Sequence, residues 1–451
     1  MMSKRPLLIA ILIAGLAAST APAQLLGGGP LGGVTGPVID TVGQVGNSVD
    51  QTVGGLTRQG DSAGSAVYSN VAPVSLDRVA QPIQYLQATA SQLAQLRKLR
   101  LDALVRANRA VLDRDDQGQP VRKGELILTD PDPASLALAQ RAGFRVIGDD
   151  GNELGIRIVT LALPRGMNVR QGLKALRRLS PAVQADYNHI YEPAGGALLP
   201  ATGLALAASS PVRQGTRIAM IDGAIAAHPS LAAASVEQRG FAGAAQPTGH
   251  GTAVGSLLVG DQGPFRGAAR GAQLFVGDVY GGNPAAGSAS TIVRALAWTA
   301  SKRPSVINVS LVGPNNQSLA RAIAALRARG IGLVAAVGND GPAAPPQYPA
   351  SYEGVVAVTG VDASDRALRE AGRSIHLDFA APGADLVAAL PGNGYTPVRG
   401  TSFAAPFVAA RLAATGSMAQ LAAEAVPGKG KVGRGIVCKS CRILPKTVGL
   451  R

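Results

Sequence analysis

Cysteine is nearly missing from this chain. Cys438 and Cys441 are the only two among 451 residues. A lone C-x-x-C cannot complete a tetrahedral zinc site, and in an oxidising compartment the pair reads as a short-range disulfide. Aromatic residues are few as well, at 4%. With 57 glycines and long Ala-rich segments, this points to close backbone packing in place of large aromatic anchors. An RNA-binding aromatic signature is absent, as are zinc-finger spacing and a basic zipper, so the net charge of +15 does not imply a nucleic-acid partner. The Lys and Arg residues are spread widely. One cluster, at Arg97-Lys98-Arg100, Arg106 and Arg109, reads as a solvated basic face. Carboxylates nowhere gather as in a calcium loop, so no metal and no cofactor is implied. No apolar run is long enough to cross a bilayer comfortably, and no stable membrane span is expected.

What is present begins with residues 1–23. Lys4 and Arg5 precede an apolar run from Leu7 to Ala18, and Ala21-Pro22-Ala23 follows as a small-x-small cleavage pattern. That is the pattern of a secretory signal peptide, so the product is expected to be secreted or periplasmic. Residues 24–80 are Gly-rich and polar and read as a linker. Residues 81–123 form a helical segment, with Leu86, Leu93, Leu96, Leu101, Leu104 and Val105 spaced at three and four along one stripe. From 124 to 193 short strands and helices alternate as strand-helix-strand-strand-helix-strand, which suggests a small ferredoxin-like α+β domain. Residues 194–211 look like an exposed connector. The rhythm then changes to β-branched strands alternating with helices, from 212 to 416. This predicts an α/β fold with a parallel sheet covered by helices on both faces. A tail with the Cys pair, 417–451, closes the chain.

In such folds ligands gather at the carboxyl ends of the strands. Asp222 directly follows the apolar strand Arg217-Ile218-Ala219-Met220-Ile221, and alone it reads as a turn or helix cap. His250, one of four histidines, sits in Gly249-His250-Gly251-Thr252 at a helix start, where flanking glycines leave the imidazole unobstructed. Asn339 ends a strand and precedes Asp340-Gly341; it fits a turn, and it also fits an amide donor to an oxyanion. Ser402, in Gly400-Thr401-Ser402-Phe403-Ala404-Ala405-Pro406, reads equally as a helix cap or as a nucleophile whose own N–H is unpaired at the helix start. Taken together they place Asp, His and Ser in that chain order with Asn between the last two. A serine needs an imidazole to take its proton, a carboxylate to orient that imidazole, and donors for the oxyanion.

On these segments, with Val306-Ile307-Asn308-Val309-Ser310-Leu311 and Ala380-Ala381-Pro382-Gly383, the chain resembles the subtilisin-like serine proteases, or subtilases, over roughly residues 212–414. The resemblance implies a serine endopeptidase acting on polypeptides, with Asp222 as orienting acid, His250 as general base and Ser402 as nucleophile. It implies Asn339 and the Ser402 N–H as the oxyanion hole. Ser310, Leu311 and Val312 become a wall of the substrate cleft that pairs with an extended peptide. It also gives the α+β domain a role, as a propeptide that assists folding and inhibits the enzyme within the same chain until cleaved. The cleavage point, between Pro193 and Arg213, is not readable. This chain departs from the family in having Gly223-Ala224 after the aspartate, Phe403 after the serine, and the helical segment before residue 124. The competing reading is a catalytically silent relative, the fold kept as a peptide-binding or envelope-associated module.

Overall fold

Alternation of apolar side chains decides how two sheets of this chain are covered. A computed structural model describes residues 88–197, 212–213 and 215–450, all within one compact unit. The signal peptide at 1–23, the linker at 24–80, residues 81–87 and most of the connector (198–211) lie outside the described residues.

Helix α1 (Ala90–Ala107) opens on a capping box, Thr89 and Gln92 each accepting from the other's backbone N–H. The leucine stripe predicts helix through this region up to residue 123, but the helix stops at Ala107. Strands β1 (Leu112–Arg114) and β2 (Pro120–Thr129) follow as an antiparallel pair. The reason lies in the turn between them. Asp115 Oδ1 accepts from the N–H groups of Gln117 and Gln119 at 2.8 and 2.7 Å, folding the chain back.

Next come α2 (Pro133–Arg141), β3 (Arg145–Gly151), β4 (Arg157–Ala162), α3 (Val169–Leu179) and β5 (Gln184–His189). The sheet runs β5-β2-β4-β3, antiparallel throughout, the order of a ferredoxin-like unit. Leu126 and Leu128 face the helices of this domain, with Leu173 and Leu176. Ile127, between them, faces the other way and packs in a cluster with Leu319 and Ile323 of the larger domain. Two short strands leave the domain: β6 (Glu192–Pro193) and β7 (Gly196–Ala197).

The larger domain begins with β8 (Arg217–Asp222), β9 (Ser235–Gly240), α4 (Gly249–Val259) and a small hairpin, β10 (Asp261–Gln262) with β11 (Phe265–Arg266). It continues through β12 (Gln273–Asp278), α5 (Ala289–Ser301), β13 (Val306–Val309), β14 (Leu311–Val312), α6 (Gln317–Ala328) and β15 (Gly332–Ala336). Then follow β16 (Val355–Val361), β17 (Phe379–Pro382), β18 (Leu386–Ala389), β19 (Tyr395–Arg399), α7 (Thr401–Thr415) and α8 (Met418–Ala423). Seven strands form one parallel sheet in the order β17-β16-β15-β13-β8-β12-β9. Within β8, Ile218 and Met220 join the cluster under α4 and α7, whereas Ala219 and Ile221 join the one under α5 and α6. Both faces are therefore dry, as a parallel sheet requires. The C-terminal tail docks on this domain. Val387 N–H donates to Ile443 O at 2.8 Å, and buried Arg442 donates to the carbonyls of Val361 and Asp362. Cys438 and Cys441 are joined by a disulfide.

Candidate active site

The site is assembled where β8, β15 and two helix starts meet. Helix α4 is capped by Thr248, whose Oγ1 accepts from Gly251 N–H at 2.9 Å, and this sets His250 in the first turn. His250 Nδ1 lies 2.9 Å from Asp222 Oδ1 at the end of β8, and Nε2 lies 2.9 Å from Ser402 Oγ in the first turn of α7. With Nδ1–H donating to the carboxylate, Nε2 is left to accept from the serine hydroxyl. Asp222 Oδ1 also accepts from Gly223 N–H at 2.7 Å. Its other oxygen, Oδ2, is buried and has no hydrogen-bond partner among the described residues. The Gly223 departure noted in the sequence has a steric reason here, because a Cβ at Gly223 would fall 2.3 Å from Thr248 Oγ1. The cap that seats His250 fills the space a serine would need. Neighbouring Asp278 is pushed above the ordinary carboxylate range, by burial first and with a smaller contribution from the charge of Asp222. The N–H groups of Gln246, Tyr280 and Gly281 pull the other way.

Helix α7 enters through Gly400 at φ +143°, a conformation that glycine adopts readily; a Cβ there would also lie 2.8 Å from Asn339 Nδ2. Pro406 sits inside this helix and has no N–H to give to the carbonyl of Ser402. Ser310 Oγ supplies the missing donor at 3.0 Å. Asn339 Oδ1 accepts from Thr401 N–H at 3.0 Å, which turns its Nδ2 toward the cleft.

The cleft is filled by the chain's own segment from Ile190 to Ala197. Strand β6 pairs antiparallel with β14, Pro193 opposite Leu311 and Glu192 opposite Val312. Ala194 N–H donates to Ser310 O at 3.0 Å, and on the opposite edge Tyr191 N–H donates to Gly287 O at 2.8 Å. The Tyr191 ring is fully buried, and its hydroxyl donates to Pro314 O at 2.7 Å. Burial, foremost, pushes that phenol well above its ordinary range. The Ala194 carbonyl oxygen accepts from Ser402 N–H at 3.1 Å and from Asn339 Nδ2. Past the Ala194–Gly195 bond, β7 pairs with β19, Gly196 opposite Arg399 and Ala197 opposite Val398. A Cβ on Gly195 would fall 2.0 Å from Ser402 Oγ.

Asp222, His250, Asn339, Ser402 and the Ser310–Val312 strand are thus brought to one place. The exposed connector expected from residue 194 does not begin there: Ala194 is buried at 2% exposure, held by Ser310, Ser402 and Asn339. Of the basic cluster expected to form a solvated face, Lys98, Arg106 and Arg109 are exposed, but Arg97 and Arg100 are half-buried in ion pairs. Arg97 Nε lies 3.0 Å from Asp340 Oδ2, and Arg100 Nη2 lies 2.9 Å from Asp340 Oδ1 and 3.3 Å from Glu192 Oε2. Sequence reasoning passed over Glu192 and Asp340. Asp340 carried a signal in being the residue after Asn339.

Strand β5 of the small domain seals the contact through helix ends. Asp186 Oδ2 accepts from Gln317 N–H at the start of α6, at 2.8 Å, and Asn188 Oδ1 accepts from Ser290 N–H at the start of α5, at 3.1 Å. Both are donors that a helix cannot satisfy by itself.

A carboxylate, an imidazole and a serine lie in line at the carboxyl ends of a parallel sheet, with Ser402 N–H and Asn339 Nδ2 directed at one carbonyl oxygen, the arrangement that a serine peptidase of the subtilisin type requires. Comparison with known proteins agrees. Residues 213–424 match the subtilase family. Subtilisin Savinase of Lederbergia lenta is 32% identical over 201 residues, 43% of this chain and 74% of that protein. The alkaline protease of Alkalihalobacillus alcalophilus is 32% identical over 201 residues, and this chain spans about half of its length, 52%. Among solved structures, fervidolysin from Fervidobacterium pennivorans, described as a keratinolytic enzyme related to subtilisin, superposes with a TM-score of 0.61. At 18% identity, over 73% of this chain and 61% of that one, this is a likeness of fold alone. The chain belongs to the subtilase family.

Proposed function

We propose that the protein is an exported serine endopeptidase made as a self-processing zymogen, and that its first substrate is its own Ala194–Gly195 bond. The observation that carries this reading is the Ala194 carbonyl oxygen lying between Ser402 N–H and Asn339 Nδ2, with Ser402 Oγ bonded to His250. Ser402 Oγ attacks the Ala194 carbonyl carbon while its proton passes to His250 Nε2. Asp222 holds the ring by Nδ1–H and stabilises the imidazolium. Negative charge gathers on the carbonyl oxygen, where the two donors already point. The imidazolium then gives its proton to the nitrogen of Gly195, the C–N bond breaks, and residues up to Ala194 remain as an ester on Ser402. Water, deprotonated by His250, releases the acyl group. The small domain, an inhibitor within the same chain before the cut, stays in the cleft afterwards as a noncovalently bound product, held by β6 and the capped helices α5 and α6. Export rests on the leader pattern at 1–23; no helix among the described residues is long and apolar enough to cross a membrane.

The test is N-terminal sequencing of the full chain and of Ser402→Ala after expression. The wild type is expected to yield a fragment beginning at Gly195, and the variant none. A fragment beginning at Gly195 in Ser402→Ala overturns the reading.

A further inference from the structure

Asp340 follows the oxyanion residue Asn339 and is 5% exposed. Its partners among the described residues both come from α1, Arg97 on Oδ2 and Arg100 on Oδ1. Arg100 also reaches Glu192 with Nε and Nη2, each at 3.3 Å, so one guanidinium stands between two carboxylates. The nearby carboxylate of the same domain, Glu370, is already paired by Arg399 at 2.6 and 3.0 Å. When the small domain and α1 leave, Asp340 loses both cations at the edge of an apolar cleft. Glu192 is the third residue before the Ala194–Gly195 bond, and its side chain reaches toward Asp340 through Arg100. A longer cationic side chain at that position spans the gap that Arg100 now fills.

We propose that Asp340 is a specificity-determining residue, selecting substrates with Arg or Lys three residues before the cut, and that Arg97 and Arg100 are its internal stand-ins. This rests on the proteolytic reading above. The chain's own cleavage sequence carries the opposite charge there, and Arg100 makes it tolerable: with α1 in place Glu192 is bridged, and with α1 gone it faces a like charge across the cleft. Like charges juxtaposed without a bridge are strongly disfavoured. The small domain therefore carries a ligand that fits only while its own helix is docked.

The processed protein, freed of the cleaved small domain and with its active sites counted with a serine-directed phosphonate, is given three peptides, Tyr-X-Pro-Ala-Gly-Gly with X as Arg, Gln or Glu. The expected order of kcat/KM is Arg above Gln above Glu, with about ten-fold or more between the ends. Added salt narrows the gap, and Asp340→Asn reduces it to within about two-fold. An order that survives in Asp340→Asn, or a Glu peptide cleaved as fast as the Arg peptide, overturns the proposal while leaving the protease reading intact. No turnover of any peptide by protein that labels at Ser402 overturns the proposal as well, since all three share the chain's own residues around the cut. Failure to label at Ser402 overturns the protease reading itself.

Discussion

The two sides of the Ala194–Gly195 bond are held in unequal ways. On the acyl side, Ile190 to Ala194 lies between two edges: Gly287 bonds Tyr191, and β14 pairs with β6. A buried phenol anchors it further, and Arg100 ties it down by bridging Glu192 to Asp340. On the leaving side, Gly196 and Ala197 have β19 alone as partner strand among the described residues, and Gly195 brings no side chain to hold. In the processing proposed above, a bond suspended between a fixed end and a lightly held end would have a direction: the side from Gly195 onward would depart, and the acyl side would stay as an inhibitor.

This asymmetry can be broken at the chemistry, at the leaving side or at the anchor. The largest effect is expected from Asp222→Asn, which leaves the shape of the site and misdirects the imidazole tautomer. Processing of the full chain, followed by gel densitometry, should slow by roughly 10⁴-fold. Gly195→Ala strikes the leaving side. Its Cβ has no room beside Ser402 Oγ, so the scissile bond must shift, and processing should slow by about 100-fold. The assembled fold, read by circular dichroism, should be unchanged. Tyr191→Phe removes one hydrogen bond from the anchor, to Pro314 O, and leaves the ring. The cleaved small domain should then inhibit in trans about three- to ten-fold less tightly, the equivalent of about 1 kcal/mol. Processing itself should barely change.

The smallest effect concerns pH. Burial alone would raise Asp115. It is outweighed by the bond from His189 and by the N–H groups of Gln119 and Gln117, and the carboxyl sits below its ordinary value of 3.8. A depressed carboxylate stabilises the fold fully above the unfolded value, and that contribution is lost as pH falls through the folded one. Melting of Ser402→Ala between pH 5 and 2 should show the small domain losing stability below about pH 4. Asp115→Asn should be less stable at pH 5 and lack that part of the slope.

The larger sheet was legible because most of its strands are runs of apolar residues. Asp222 stands out as the end of β8, Asn339 as a polar residue just beyond β15, and Ser402 as the start of the small-residue helix α7. The small domain was legible from its two helices, which have clear starts at Pro133 and Val169. What stayed hidden depended on contacts between distant segments. Leu112–Arg114 continues an apolar stripe and reads as helix, and only the turn built on Asp115 makes it a strand. Glu192 and Arg100 are unremarkable where they stand in the chain, and they matter because folding brings them, across 92 residues, to one carboxylate. Ser235–Gly240, with exposed Glu237 and Gln238, lacks the apolar pattern of its neighbours because it lies at the sheet edge.

Pro406 leaves α7 one donor short. A helix that lacks one N–H must look outside itself for the donor, and α7 finds it in Ser310. The same residue offers its carbonyl to Ala194 N–H. One serine thereby joins the helix that carries Ser402, by its hydroxyl, to the segment lying in the cleft, by its carbonyl. In the proposed reaction a shift of that segment would be felt at Ser402 through two hydrogen bonds, so the spacing of attacking oxygen and target would not rest on two independent elements.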